Sequence, residues 1–401
     1  MSSQNAGSRL PWALVIANCL GMFAVTSGGS ARAPFLIDMS QDLGTSLLAI
    51  ANLFGVTSIA WAIGSFVAGT FSDLIGRRLF LVGGPVALAL SLVGIAQSGS
   101  YVTLALWAFL AGVASGCFTG VSLAEVSLRV ADNQRGRALA WVMGGQSLTL
   151  LLGVPIASYI GASIGWRGVN VCIGALALVS ALALYATSQP RSTPTRKAGG
   201  GDKGLGTSFR ALTGSVLGLL GAAVAERVCF ALVAIYFATF LQKTYGLSLT
   251  AVALPLAIFA AGNILGTLAG GVVGDRWSRR WTFAISMAAS GLAALALFYG
   301  RELTLPVAVT IAFIYSLLNA LSRPSIMALI ADVPAEARGT VMGLNSTAAS
   351  FGWLAAGMLG GWIVDGLGAF SAFAPLIGAL AALAAVLALA VTRVPGKLET
   401  P

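Results

Sequence analysis

Glu226 and Arg227 stand side by side inside a run, residues 211–241, that is otherwise almost wholly apolar. They lie some 15 residues into it, which is ~22 Å along a helix rising ~1.5 Å per residue. If the run crosses a bilayer core of about 30 Å, both sit near its middle. A charge at that depth costs at least about 2.5–3.5 kcal/mol, so each must face protein or a water-filled cavity. Consecutive helical residues point ~100° apart, so the two are expected neither to share one cavity squarely nor to neutralise each other.

A partner is available in the run 303–330, where Tyr315, Asn319 and Arg323 fall at i, i+4 and i+8 and make one polar face. Glu226 aligns in the same way with Phe230 and, about two turns further on, with Phe237. A carboxylate, a guanidinium, a phenol and aromatic rings would form an amphipathic pocket suited to an organic molecule bearing polar groups. A buried Glu226–Arg323 pair with a purely structural role explains the same residues. The chain has no histidine, so a proton relay must use carboxylates, and Glu226 is the one placed to do so.

These residues need helices long enough to carry them. The 401 residues are 57% hydrophobic and 9% charged, and apolar runs of about 20 residues recur throughout, which is the pattern of a polytopic helical membrane protein. Twelve spans are expected, near 11–36, 45–71, 79–98, 101–124, 138–163, 168–188, 211–241, 249–273, 281–299, 303–330, 339–364 and 370–392. The first is too long for a signal peptide and has no small-residue cleavage site, so it is retained as a span. Gln189 to Arg210 is rich in Gly, Ser, Pro and basic residues and reads as a linker between an N-terminal half, 1–188, and a C-terminal half, 211–401.

With both termini inside, seventeen Lys and Arg residues fall on the cytoplasmic side and only Arg32, Arg167, Lys243 and Arg301 on the outer side. That positive-inside bias accounts for most of the net charge of +10 without a nucleic-acid partner. Cys19, Cys117, Cys172 and Cys229 lie in apolar runs without CxxC spacing and read as packing residues, so no metal site is expected. There is no GxxxxGK[ST] loop and no nucleophile with a histidine base, which argues against an enzyme or an ATP-driven pump and leaves no cofactor expected.

The stretch "GTFSDLIGRR" returns as "GGVVGDRWSRR": Gly69, Asp73, Arg77 and Arg78 are matched by Gly271, Asp275, Arg279 and Arg280, each 202 positions later. "RGRALA" at Arg135 is echoed by "RGTVMG" at Arg338, an offset of 203. Two echoes at nearly one offset mark the halves as structural repeats.

With Gly69, Asp73, Gly76, Arg77 and Arg78 matching G-x-x-x-D-x-x-G-R-[RK] between spans 2 and 3, the sequence resembles the major facilitator superfamily of secondary transporters. In the second copy Gly76 has become Ser278. The resemblance covers the whole chain and implies an all-α fold of twelve transmembrane helices in two six-helix pseudo-repeats. It implies further that Asp73, Arg77 and Arg78 bond the facing half and hold the inner side closed, and that Glu125 and Asp332 are gate partners meeting loop arginines of their own half. Span 5 carries Gly145, Gly153 and Pro155, similar to the glycine-proline motif of drug:proton antiporters, although Val154 separates the last two and Ser158 and Tyr159 replace the closing glycines. Such glycines let helices approach closely, and the proline frees a carbonyl and permits a bend.

Two departures weaken a cationic-drug assignment. Span 1 offers Asn18, Thr26 and Arg32 where those antiporters carry an acid, and span 4 has Ala108 where they carry an arginine. Arg32, Arg227 and Arg323 instead suit an anionic or zwitterionic substrate. The expected protein is thus a monomeric secondary transporter of a bacterial-type plasma membrane, exporting a drug or metabolite by proton antiport and a rocking switch. The alternative is proton-coupled uptake of a small organic anion or micronutrient.

Overall fold

The structure is a computed structural model that describes residues 10–188, 214–300, 303–332 and 335–390. The expected linker 189–210 lies outside the described residues, as do Arg9, Arg301, Arg393 and Lys397 of the charge count.

Every regular element among the described residues is helical. In chain order these are α1 (Trp12–Ser30), α2 (Leu36–Asp42), α3 (Leu47–Ile75), α4 (Arg77–Ala96), α5 (Tyr101–Arg129), α6 (Asp132–Leu148) and α7 (Val154–Thr187). There follow α8 (Gly214–Tyr245), α9 (Leu249–Arg276), α10 (Arg279–Tyr299), α11 (Leu305–Ala331), α12 (Ala335–Trp362) and α13 (Phe373–Ala390). Short π segments, Thr149–Gly153 and Ile363–Leu367, join α6 to α7 and extend α12.

By length and composition, 11 helical stretches among the described residues can cross a membrane, and one of them, Gln134–Thr187, is 54 residues long. At ~1.5 Å per residue it would run ~81 Å, far beyond a single crossing of about 30 Å. Inside it Gly165 takes φ 68° and ψ 172°, a conformation open to glycine, and breaks the rod into two helices. Counting both gives twelve crossings, in agreement with the sequence.

Local chemistry sets the ends. Ser100 and Thr103 form a reciprocal capping box at the start of α5, and Ser248 accepts from the Ala251 N–H at the start of α9. Between α3 and α4 the chain turns at Gly76, whose φ of 110° is again a glycine conformation. Its counterpart Ser278 has φ −73° and ψ 120°, ordinary for an N-cap residue, which is why the second copy of the motif does without the glycine.

The chain divides into two compact units, Met1–Leu43 with Val56–Arg196, and Gly44–Gly55 with Lys197–Pro401. In the first, α1 packs on α5, α6 and α7, and α4 on α5 and α7. In the second, α9 and α10 pack on α11, α10 on α13, and α8 on α11, α12 and α13. Residues Gly44–Gly55, the start of α3, belong to this second unit. Leu48 N–H donates to Asp365 Oδ2 at 2.6 Å, a carboxylate cap on the helix start, and Gly361 and Gly357 bring α12 against the Leu48 and Ala51 backbone.

Glycine also sets the closest helix contacts inside each unit. A Cβ on Gly262, Gly266 or Gly270 of α9 would run into the carbonyls of Phe313, Leu317 and Leu321 on α11. Gly64 of α3 meets the Val113 carbonyl of α5 in the same way, and Gly112 and Gly116 of α5 meet those of Thr57 and Trp61. Gly64 and Gly266 are 202 positions apart, so the repeat seen in the loop motif extends into helix packing.

Candidate functional site

Among the described residues, the charges of the second unit that lie deep within helices converge. Arg323 donates to Glu226 Oε1 from Nε at 3.3 Å and from Nη2 at 3.1 Å. Arg227 Nε lies 3.5 Å from the other oxygen, Oε2. This corrects one expectation: adjacency on the helix does not keep Glu226 and Arg227 apart. Although their Cβ bonds diverge, the long arginine stem lets the head group curl back to its neighbour, and Gly352 of α12, packed on the Arg227 Cβ, gives that stem room. The Glu226 side chain is 1% exposed, whereas Arg227 and Arg323 keep 22% and 17%. The carboxylate is therefore covered, and the two arginine side chains are the partly exposed part of the cluster.

Aromatic rings back it. The Arg323 guanidinium lies 4.8 Å from the Phe230 ring centroid, in cation–π range. Phe230 stacks on Phe259 and meets the edge of Trp353, and Trp353 stacks on Phe54. Phe237 joins the same series through Phe259 at 5.5 Å but is itself fully buried. Trp353 and Phe259 belong to no polar or charged pattern, so nothing in the run of residues singled them out.

Tyr315 and Asn319 do not join Glu226 and Arg323 as one open polar face. The Tyr315 hydroxyl donates to the Cys229 carbonyl at 2.6 Å, and Asn319 Nδ2 points to Met287 Sδ of α10 at 3.9 Å. Both residues are fully buried. Spacing of i and i+4 put them on one side of α11, but α8 and α10 flank that side and each takes one of them.

Asn18 and Arg32 belong to the other unit. Asn18 donates to the Leu14 carbonyl and accepts from the Ser122 hydroxyl, both at 2.8 Å, tying α1 to α5. Arg32 is buried and donates to Thr57 Oγ1 at 3.0 Å and to the Gly28 carbonyl at 3.4 Å.

Several residues of the repeated motif make contacts within their own units. Glu125, buried near the end of α5, pairs with Arg129 at 2.5 Å and lies 3.9 Å from Arg77. Arg78 donates to the Tyr185 carbonyl at 3.0 Å and stacks on the Tyr185 ring. Arg78 is thus tied to α7 of its own half. Asp73 lies in the last turns of α3, and Gly69, like Gly271, has open space where a Cβ would sit. Asp275 and Arg279 form an i, i+4 pair at 3.4 Å, Arg280 follows at the start of α10, and Asp332 is exposed at the end of α11.

Span 5 changes helical form where the glycine-proline motif lies. Pro155 has no N–H to give the preceding turn, and Thr149–Gly153 widens into a π segment. Gly145 lets this helix touch the Cys19 carbonyl of α1, while Thr149 Oγ1 donates to the Phe23 carbonyl at 3.1 Å. At the other end of α1 and α2, Asp42 Oδ2 accepts from Trp166 Nε1 at 2.8 Å and from Arg167, which also stacks on the Trp166 ring. This tie engages Trp166 and Arg167, just beyond the end of span 5.

Twelve apolar crossings, repeated loops and glycine-packed helix pairs define a multi-pass helical membrane protein built by duplication. The chain belongs to the Major Facilitator Superfamily, whose family profile matches residues 19–240 and again 219–401. It is a transporter and not an enzyme. It is 29% identical over 278 residues to the transcription regulatory protein OpdE of Pseudomonas aeruginosa, covering 67% of this chain and 66%, just under two thirds, of that one. It is 27% identical over 327 residues to a chloramphenicol resistance protein of Streptomyces lividans, covering 80% and 81%. The crystal structure of a D-xylose–proton symporter superposes with a TM-score of 0.79 at 18% identity, covering 97% of this chain and 100% of that one, a likeness of fold.

Proposed function

We propose that this transporter exports a small organic molecule by proton-coupled alternating access, with Glu226, Arg227 and Arg323 at its binding site. The observation that carries the reading is a carboxylate covered deep in α8 and gripped by an arginine from α11. Such a group is costly within a membrane and marks transport pathways and proton relays. Similarity to a resistance protein supports export. The arginine-rich motif at Arg77 and Arg78, repeated at Arg279 and Arg280, supports cytoplasmic gate ends and cytoplasmic termini in a bacterial-type plasma membrane. Two halves carried on one chain support monomeric function.

Everted vesicles with an imposed pH gradient test this reading. Wild type is expected to show substrate-dependent proton movement, and Glu226→Gln is expected to lose it. Unchanged coupling in Glu226→Gln would count against the assignment.

A second reading, uptake of a small organic anion, is favoured by one observation: two guanidiniums face a single carboxylate. Deletion separates the two. Export predicts that loss of the protein raises toxicity of the compound, and uptake predicts lost growth on it.

A further inference from the structure

We propose that the transported molecule carries one acidic group, held by the free ends of Arg227 and Arg323. This rests on reading the Glu226 cluster as the transport site, and it holds for either direction of transport. The argument begins with charge. Two guanidiniums and one carboxylate leave the cluster with a formal charge of +1, and α8 and α11 contain no other acidic residue. A structural ion pair needs one arginine, and the second adds a costly charge within the membrane that pairing with Glu226 does not cancel.

Hydrogen bonding points the same way. Arg227 lies 3.5 Å from Glu226 at Nε, and its two terminal nitrogens have no hydrogen-bond partner among the described residues. Arg323 uses Nε and Nη2 on Glu226 Oε1, and its Nη1 likewise has no such partner. These nitrogens belong to the two side chains of the cluster that remain partly exposed, while the carboxylate between them is covered. A planar guanidinium offers its terminal N–H groups in the geometry that a carboxylate, sulfonate or phosphate accepts. One such group on the ligand would bring the formal charge of the cluster to zero and leave Glu226 in place. The half-buried Trp353, edge-on to Phe230 beneath Arg323, offers an apolar surface for the rest of the ligand.

The test uses the full-length chain in detergent and matched probes: benzoate, 4-hydroxybenzoate, 1-naphthoate and indole-3-acetate, each beside its primary amide, with benzylamine as the cation. Binding is read by calorimetry and by thermal stabilisation. At least one acid is expected to bind at least about tenfold more tightly than its amide. Arg227→Gln should remove that preference and Arg227→Lys should restore part of it, with the unliganded melting temperatures of both variants confirming that they fold.

Failure of all four acids to bind, or an amide or benzylamine binding as well as the acids, overturns the proposal. If amides bind and Arg323→Gln abolishes that binding, the site stands and only the acidic ligand is wrong. If acids bind equally to wild type and Arg227→Gln, both the ligand assignment and the site reading fail.

Discussion

Arg323 grips Glu226 with two nitrogens on a single oxygen, leaving the other oxygen to Arg227. Removing Arg323 leaves a covered carboxylate with one partner at 3.5 Å. Arg323→Ala should therefore cost about 3–5 kcal/mol of stability, the range for breaking one side of a buried pair. Adding Glu226→Gln should recover part of that loss. Thermal unfolding in detergent checks the cycle, and strictly additive single effects would show that the pair is not coupled.

Gly266 and Gly271 are five residues apart on α9 and should behave oppositely. At Gly266 a methyl group would run into the Leu317 carbonyl, while at Gly271 there is nothing within 4 Å. Gly266→Ala should destabilise by about 1–3 kcal/mol through overpacking. Gly271→Ala should stabilise the helix by roughly 0.5–1 kcal/mol. Melting temperatures of the purified variants decide.

The two copies of the loop motif should also differ. Gly76 has φ 110°, so Gly76→Ala should store about 1–3 kcal/mol of backbone strain. Ser278 sits in an ordinary extended conformation and makes no side-chain cap, so Ser278→Ala should change stability by less than about 0.5 kcal/mol. A comparable loss at both positions would mean that the backbone difference is not the cause.

Tyr236 donates its hydroxyl to the Gly357 carbonyl at 2.7 Å, in a contact closed by Gly360 against the ring. Tyr236→Phe keeps the ring and removes one hydrogen bond from a carbonyl that still lies within the α12 helix, and should cost about 0.5–1.5 kcal/mol. Gly360→Ala, which forces the ring itself to move, should cost more. Denaturation of the two variants side by side tests the order.

Most of the fold was legible because membrane crossings are written in composition. Runs of about 20 apolar residues located the crossings, and the echo of Asp73, Arg77 and Arg78 at 202 residues revealed the duplication. The helix bounds differ mainly at bends. Span 1 continues past Arg32 through α2 to Asp42, and spans 5 and 6 run on as one rod until Gly165 breaks it. Glycine content alone says little about which glycines lie at contacts, so the matched roles of Gly64 and Gly266 were visible only in three dimensions.

By itself the sequence determined that Glu226, Arg227 and Arg323 lie deep in apolar helices, because charge within such a run stands out whatever the packing. It also determined that the chain is a duplicated set of membrane helices. Only the tertiary structure decided how those charges pair. Arg227 curls back to Glu226 although helical geometry separates their Cβ bonds, Tyr315 spends its hydroxyl on a backbone carbonyl, and Asn319 turns to Met287. The physical reason is that periodicity fixes the direction in which a side chain leaves its helix. What its far end meets depends on the length and rotamer of the side chain and on the neighbouring helices, which no single run of sequence contains.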